Sequence, residues 1–294
     1  MKTRRGDTET RRRGEEILHR NVSASPRLGV PLITLLTDFG TADYFVGAMK
    51  GVILSINPDA HVIDITHEIP PQDILSGAFT LSAAYKNFPE GTIHVAVVDP
   101  GVGSHRRAIV ATTHNQCFVG PDNGLLSFIF EEEKDVRVFH ATNEDYFQKP
   151  LSNTFHGRDI FAPLAAALSK GVHTENFGVE ITDYIRLPNL KPNFIREGQL
   201  EASIIHVDRF GNCVTNLTRR EITDEMIARG LTLTINGRKI TSFRRFFAEE
   251  SDASDNLFAI WGSAGYLEIA SNRSSAAEML DARTGNQILV MSDE

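Results

Sequence analysis

Short apolar runs alternate with helix-length segments through residues 32–169, and this order constrains the fold more than any other feature. The predicted strands are residues 32–36, 62–65, 92–98 and 108–112, and the predicted helices are residues 44–55, 73–88 and 159–169. Apolar runs with β-branched members, such as LITLL in the first, are typical of strands buried on both faces. The alternation therefore predicts an α/β domain with a mixed, mostly parallel sheet and helices on both faces.

The pattern changes at residues 188–192 (PNLKP), which interrupt the helical alternation with two prolines. The strands predicted after this point are residues 202–207, 214–217, 231–235, 257–261, 266–270 and 287–291. Short strands separated by turn residues are typical of a β-barrel or sandwich. We therefore predict an α/β domain over residues 31–190 and a smaller all-β, barrel-like domain over residues 191–294.

The first 30 residues differ in composition, because they are rich in Arg and Glu and contain no apolar stretch of the kind found in a secretory signal. We expect residues 1–30 to form a disordered extension.

Charge and composition exclude several classes of partner. The formal net charge of -8 argues against nucleic-acid binding, which requires clustered Lys and Arg. The chain has no apolar run near the ~18 residues that a membrane span requires. Cys117 and Cys213 lie far apart in apolar segments, which is typical of buried, reduced thiols. We expect a cytoplasmic protein with a small-molecule partner.

Two loops that follow predicted strands carry acidic residues. Residues 37–40 (TDFG) deliver Asp38 to the crevice that open α/β sheets use for ligands, where a carboxylate can accept both hydroxyls of a ribose. The alternative is that Asp38 only caps the next helix or forms an Asx turn. Residues 99–107 (DPGVGSHRR) supply Asp99 and Arg106, which can hold and polarise a water or form a purely structural ion pair. This loop matches neither a dinucleotide fingerprint nor a Walker loop.

Three further segments are ambiguous when taken singly. Residues 153–159 (NTFHGRD) place His156 at the entrance of a helix that Asp159 could cap, and His156 can act as a base, orient a water or be an ordinary loop residue. Residues 208–212 (DRFGN) and 262–268 (GSAGYLE) can be simple turns. The histidines show no metal-ligand spacing, so no metal site is predicted.

In their order, seven motifs resemble those of the S-adenosyl-L-methionine (SAM) hydroxide adenosyltransferases. This family comprises the adenosine-forming SAM hydrolases and is related to the fluorinase and chlorinase enzymes. The matching motifs are residues 36–40 (LTDFG), 64–69 (DITHEI), 98–103 (VDPGVG), 120–124 (GPDNG), 154–159 (TFHGRD), 208–212 (DRFGN) and 263–270 (SAGYLEIA).

The resemblance implies hydrolysis of SAM to adenosine and methionine by in-line attack of an activated water or hydroxide on the ribose 5′-carbon. It implies a catalytic triad of Asp99, Arg106 and His156. It also implies a homotrimer with active sites at subunit interfaces, and no metal or organic cofactor. The implied substrate-binding residues are Asp38 for the ribose hydroxyls, Phe155 for the sugar pocket, Asp208 for the methionine amino group, and Asn212, Ser263 and Glu268 for the adenine edge.

Two alternatives stay open, a SAM-dependent halogenase and a non-catalytic module that binds SAM or a nucleoside. The resemblance implies that halogenases replace triad positions, whereas this chain retains Asp99 and His156. A carboxylate facing the nucleophile repels a halide and accepts a hydrogen bond from water, so these residue types favour hydrolysis.

Overall fold

The computed structural model describes residues 31–249 and 256–292. The extension predicted over residues 1–30 lies outside the described residues. The elements of the N-terminal domain are β1 (Leu32–Thr37), α1 (Phe45–Ile56), β2 (His61–Thr66), α2 (Ile74–Tyr85), β3 (Ile93–Val97), β4 (Ala108–Thr112), β5 (Cys117–Pro121), α3 (Ser127–Glu132), β6 (Arg137–Ala141), α4 (Ala162–Ser169) and β7 (Gly178–Ile181). A π-helical turn, Gly157–Phe161, runs directly into α4.

The N-terminal sheet has seven strands in the order β2-β1-β3-β5-β4-β6-β7. The pairings β1–β2, β1–β3 and β3–β5 are parallel, and β4–β5, β4–β6 and β6–β7 are antiparallel. The sheet is therefore mixed, but the prediction that it is mostly parallel is not confirmed. The tight turn between β4 and β5, closed by the Thr113 N–H to Gln116 carbonyl bond of 3.0 Å, accounts for one of the antiparallel pairings, because a short hairpin imposes antiparallel pairing.

Helices cover both faces of this sheet. Successive side chains of a strand point to opposite faces, so Leu35 packs in one apolar cluster with Met49 of α1 and Leu164 of α4. The next residue, Leu36, packs in a second cluster with Leu81 of α2. The loops that leave the carboxyl ends of β1 and β3 lie between these two layers and carry Asp38 and Asp99.

The helix predicted over residues 159–169 starts later than expected. The α-helix begins at Ala162, with Pro163 in its first turn, a position at which proline is tolerated. Residues 157–161 form the π-helical turn instead.

The C-terminal domain is a curled sheet, or half-barrel, with two short helices that the all-β prediction did not include. Its elements are β8 (Asn193–Arg196), β9 (Gln199–Val207), β10 (Cys213–Thr218), α5 (Asp224–Ala228), β11 (Thr232–Ile235), β12 (Arg238–Ile240), β13 (Phe243–Arg244), β14 (Leu257–Trp261), β15 (Tyr266–Ser271), α6 (Ala276–Leu280) and β16 (Gln287–Met291). The strand order is β12-β11-β16-β9-β10-β15-β14-β13, with β8 paired to β9. Leu217, Leu233 and Leu267 lie in its apolar core.

The two domains pack against each other through α2. The Phe79 ring stacks on His206 at 5.2 Å and meets Tyr266 edge-on at 5.7 Å. Cys213 is buried as predicted, whereas Cys117 is only partly buried. No helix in the described ranges is long and apolar enough to cross a bilayer.

Candidate active site

The loop after β3 presents a buried ion pair. The Nε of Arg106 lies 2.9 Å from each carboxylate oxygen of Asp99, and Nη2 of Arg106 also contacts Asp99. Both side chains are nearly buried, with 9% of Arg106 and 4% of Asp99 exposed. The Arg106 guanidinium also lies over the ring of Phe161, 5.2 Å from its centre, which fixes it further. A forked guanidinium–carboxylate contact of this kind is geometrically well defined.

His156 completes a cluster of three side chains. It lies directly before the π-helical turn and is 8% exposed. Its Nδ1 is 2.6 Å from Nη2 of Arg106. The structure therefore brings together Asp99, Arg106 and His156. A purely structural Asp99–Arg106 pair would not need His156 beside it. Their catalytic roles stay predictions.

The contact with Arg106 defines the form of the imidazole. A guanidinium can only donate, so Nδ1 of His156 must accept, and the ring proton then sits on Nε2. Burial lowers the pKa of His156, and the positive charge of Arg106 lowers it further, while Asp99 and Asp159 oppose the shift. His156 is thus neutral at pH 7 and directs an N–H away from Arg106.

Asp38 neither caps the next helix nor forms an Asx turn. The helix α1 has Tyr44 as its N-cap residue, without a side-chain bond, and the N–H of Gly40 donates to the carbonyl of His67. Asp38 accepts the N–H of Gln72 across the sheet edge at 2.8 Å. No described residue donates to its second oxygen, Oδ1, which leaves that oxygen available to a ligand.

Phe155 lies in an aromatic cluster beside these groups. It is 5% exposed and meets Phe39 at 6.0 Å, Phe45 at 5.0 Å and Tyr44 at 6.3 Å, each edge-on. Because Phe39 follows Asp38 and Phe155 precedes His156, this cluster links the Asp38 loop to the three-residue cluster.

Sequence reasoning missed a polar chain beneath the Asp38 loop. His67 is 3% exposed, and its Nδ1 is hydrogen-bonded to the Thr37 hydroxyl at 2.8 Å. Its Nε2 lies 3.1 Å from Asp64, which also pairs with Lys50 at 2.6 Å. The DITHEI motif contains Asp64 and His67 but gives no sign that they reach Thr37, since the contact joins two neighbouring strands.

Asp208 and Asn212 form one tight turn in the C-terminal domain. The Asp208 carboxylate accepts the backbone N–H groups of Phe210 and Asn212 and the Asn212 side-chain amide, at 2.8–2.9 Å. These bonds are those of a structural turn, and they also hold the two side chains in a fixed orientation. Phe210, at the tip, is 78% exposed.

Glu268 lies next to this turn, whereas no hydrogen bond between described residues joins Ser263 to it. Burial, followed by the charge of Asp208, raises the pKa of Glu268 to about 6. Its carboxylate lies over Gly262, where a β-carbon would be only 1.8 Å from Oε1. Ser263 is exposed at the hairpin tip and lines a cleft of about 510 Å³ between the domains.

A second feature missed from sequence is the turn before α6. Ser275 caps this helix by accepting the N–H of Glu278, and it packs directly against Gly211 of the Asp208 turn. The N–H of Ala277 donates to the Gly211 carbonyl at 2.9 Å. Arg273, on this turn, has a φ of +58° and an exposed side chain. The packing of the two turns could have been suspected only from the small residues on both sides.

The predicted site residues fall into two sets. Asp38, Asp99, Arg106, Phe155 and His156 belong to the N-terminal domain, and Asp208, Asn212, Ser263 and Glu268 to the C-terminal domain. No hydrogen bond or ion pair between described residues joins the two sets. Within residues 31–249 and 256–292, no three His, Cys, Asp or Glu side chains are grouped to hold a metal ion.

Both domains match the models of a known protein family. Residues 33–178 match the SAM hydroxide adenosyltransferase N-terminal domain, and residues 202–289 match the C-terminal domain. A Methanocaldococcus jannaschii protein named (R)-S-adenosyl-L-methionine hydrolase is 37% identical over 260 residues, covering 85% of this chain and 92% of that protein. A fluorinase of an Actinoplanes species is 25% identical over 295 residues, covering 90% of this chain and 99% of that protein.

A solved structure agrees in fold. The crystal structure of an uncharacterized conserved protein from Thermotoga maritima superposes with a TM-score of 0.79 at 36% identity, covering 88% of this chain and 99% of that one. With both family models matched over most of the chain, the chain belongs to the SAM hydroxide adenosyltransferase family.

Proposed function

We propose that this enzyme hydrolyses SAM to adenosine and L-methionine. The observation that carries the proposal is the contact of Arg106 with both Asp99 and His156, in a chain whose relatives are named SAM hydrolases. In the reaction the water oxygen forms a bond to the ribose 5′-carbon, and the carbon–sulfur bond breaks with its electron pair going to sulfur. The products are adenosine, methionine with its neutral thioether sulfur, and one proton.

The leaving group needs no acid, because the positive sulfonium becomes a neutral thioether. The residues must instead place a water in line behind the 5′-carbon and raise its nucleophilicity. Positioning of this kind contributes on the order of 7–11 kcal/mol in favourable cases. The reaction requires no metal or organic cofactor.

The directions of the hydrogen bonds indicate a different role for each of the three residues. His156, with its proton on Nε2, donates to the water oxygen and orients it but cannot take its proton in this form. Asp99 is the group with acceptor capacity, so we assign it the proton of the water. Arg106 holds both partners and stabilises the hydroxide character that develops on the water.

Substrate binding uses both sets of site residues. Asp38 would hold the ribose hydroxyls with its unengaged oxygen, and Phe155 would line the sugar pocket. In the C-terminal set, Asp208 would bind the methionine amino group, and Asn212 the adenine edge. Glu268 and the exposed Ser263 would complete the contacts to the adenine edge.

We propose that the two sets of residues form active sites shared between subunits. A homotrimer with sites at subunit interfaces would place the N-terminal set of one protomer against the C-terminal set of its neighbour. The exposed Phe210 beside Asp208 fits such an interface. We place this trimer in the cytoplasm.

The name of the M. jannaschii relative suggests which sulfonium epimer is used. We propose that this chain also acts on (R)-SAM. Incubation with a mixture of the two sulfonium epimers, followed by chiral chromatography, should show loss of the R form alone. Equal loss of both forms would refute the stereochemical part without affecting the hydrolysis.

The hydrolysis itself is tested with purified protein and SAM, by chromatography of the products. Asp99→Ala and His156→Ala should bind SAM nearly as well as the wild type but release almost no adenosine. Full turnover by either variant would remove that residue from the mechanism. Absence of adenosine with wild-type protein would favour a binding module, and 5′-chloro-5′-deoxyadenosine formed on adding chloride would favour a halogenase.

A further inference from the structure

Asp159 is a fully buried carboxylate for which the reaction has no use. Its side chain is 0% exposed, and it lies three residues after His156, inside the π-helical turn. An ionised carboxylate is costly to bury unless charge and hydrogen bonds compensate it. Its partners therefore show what it holds in place.

The partners of Asp159 lie on two segments. The guanidinium of Arg158 donates to both carboxylate oxygens, at 2.6 and 3.1 Å. The backbone N–H of Ser152 donates to Oδ2 at 2.8 Å, and the N–H of Gln148 donates to the Asp159 carbonyl at 2.8 Å. Asp159 thus fastens residues 148–154, which we name the strap, at two points.

The strap packs closely against the loop that carries Asp99 and Arg106. The carbonyl oxygen of Asn153 lies so close to Gly103 that a β-carbon there would be 2.2 Å away. Gly103 has a φ of +77°, which favours glycine. Through the strap, Asp159 fixes the Asp99–Arg106 loop, and through the π-helical turn it fixes His156.

We propose that Asp159, with Arg158, is a positioning residue that sets the distance between His156 and the Asp99–Arg106 pair. The proposal rests on the proposed hydrolysis. Arg158 is 32% exposed and lies over the Phe155 ring at 5.2 Å, so the same pair also supports the wall of the sugar pocket. The helix cap expected of Asp159 is not present, because its carboxylate is bonded to the strap and to Arg158.

Electrostatics gives this role a measurable signature. The charged groups that face His156 are Arg106, which lowers its pKa, and Asp99 and Asp159, which raise it. Removing the charge of Asp159 should lower the pKa of His156, an effect that a general loss of stability does not produce.

The test variant is Asp159→Asn, which keeps the shape and loses the charge. Its matched control is Asp122→Asn. Asp122 is 2% exposed, pairs with Arg107 at 2.6 Å and accepts the backbone N–H of Ile185 at 2.8 Å, so it is a second buried carboxylate–arginine pair, without a bond to the strap. The measurements are kcat and KM for SAM, SAM affinity by calorimetry, melting temperature, and the His156 pKa by NMR.

Asp159→Asn should lower kcat about 10- to 100-fold, the scale expected of a displacement of about 1 Å, with SAM affinity within about twofold of wild type. It should also lower the His156 pKa. Asp122→Asn should lower the melting temperature to a similar extent, with a much smaller fall in kcat and no change in the His156 pKa. Equal kcat in the two variants, or an unchanged His156 pKa in Asp159→Asn, would overturn the proposal.

Should Asp159→Asn fail to fold, Arg158→Lys loosens the same contact from its exposed side, because lysine keeps the charge but not the fork. A severalfold lower kcat is expected, and an unchanged kcat would contradict the proposal. Wild-type protein that releases no adenosine would refute the hydrolysis alone, since the comparison of His156 pKa values does not depend on turnover.

Discussion

Asn153 presents its carbonyl oxygen to the bare α-carbon of Gly103, at a spacing that admits no side chain. Gly103→Ala should therefore destabilise the fold by about 2–5 kcal/mol, from the positive φ together with overpacking. Gly171 has a comparable φ of +86° but no atom within 4 Å of its would-be β-carbon. Gly171→Ala should cost only about 1–2 kcal/mol. Denaturant titration of both variants measures the difference in their free energies of unfolding. Equal losses of stability would show that the loop at Gly103 can move to accommodate a β-carbon.

Activity should fall in acid as His156 becomes protonated. Protonation places a hydrogen on Nδ1 of His156. This nitrogen can then no longer accept the N–H of Arg106, and two donors face each other. The pKa of His156 is lowered by burial and by Arg106, so the loss should occur below the ordinary histidine value of about 6.5. The pH profile of kcat measures this. An acid limb above that value would show that His156 is charged in the resting enzyme.

Glu268 should make stability depend on pH in the opposite sense to most carboxylates. Its pKa is raised to about 6 by burial and by Asp208, so the protein is relatively more stable when Glu268 is protonated, and this advantage is lost as pH rises through 6. Glu268→Gln should melt at a higher temperature than wild type at pH 8. The difference should shrink below pH 6. A constant difference in melting temperature at all pH values would contradict the assignment.

Complementation tests whether active sites are shared between subunits. Asp99→Ala and Asp208→Ala should each be nearly inactive when expressed alone, because each removes a residue of a different set. Co-expressed and assembled at random, the two should recover roughly a quarter of the wild-type activity, from interfaces where both intact sets meet. Hybrids without any recovery would place both sets in one chain.

Strands made of apolar residues were predictable from sequence, whereas a strand that contains turn-forming residues was not. The strand residues 108–112, 257–261 and 287–291 were predicted with the bounds that the structure has. The strand β5 was missed because Gly120 and Pro121 resemble a turn, although Gly120 is required there: a β-carbon would lie 2.6 Å from the Ala96 carbonyl. Such close approach between strands is a tertiary constraint that local periodicity does not carry.

The site shows the same limit. Motif order pointed to Asp99, Arg106 and His156, and the fold brings them into contact. The roles of His67 and Asp159 depend on partners on other segments, so their spacing in the sequence suggests only a loop histidine and a helix cap. Hydrogen bonds between distant segments become visible only once the chain is folded.

The side chains proposed to react come from the first sheet and its loops, as do the proposed ribose contacts Asp38 and Phe155. Asp208 and Glu268, proposed to bind the methionine amino group and the adenine edge, come from the half-barrel. The proposed chemistry thus lies in the first half of the polypeptide, and recognition of the substrate is divided between the two halves. Grafting the half-barrel of one relative onto the first domain of another should change which sulfonium compound is accepted while keeping the choice of attacking nucleophile.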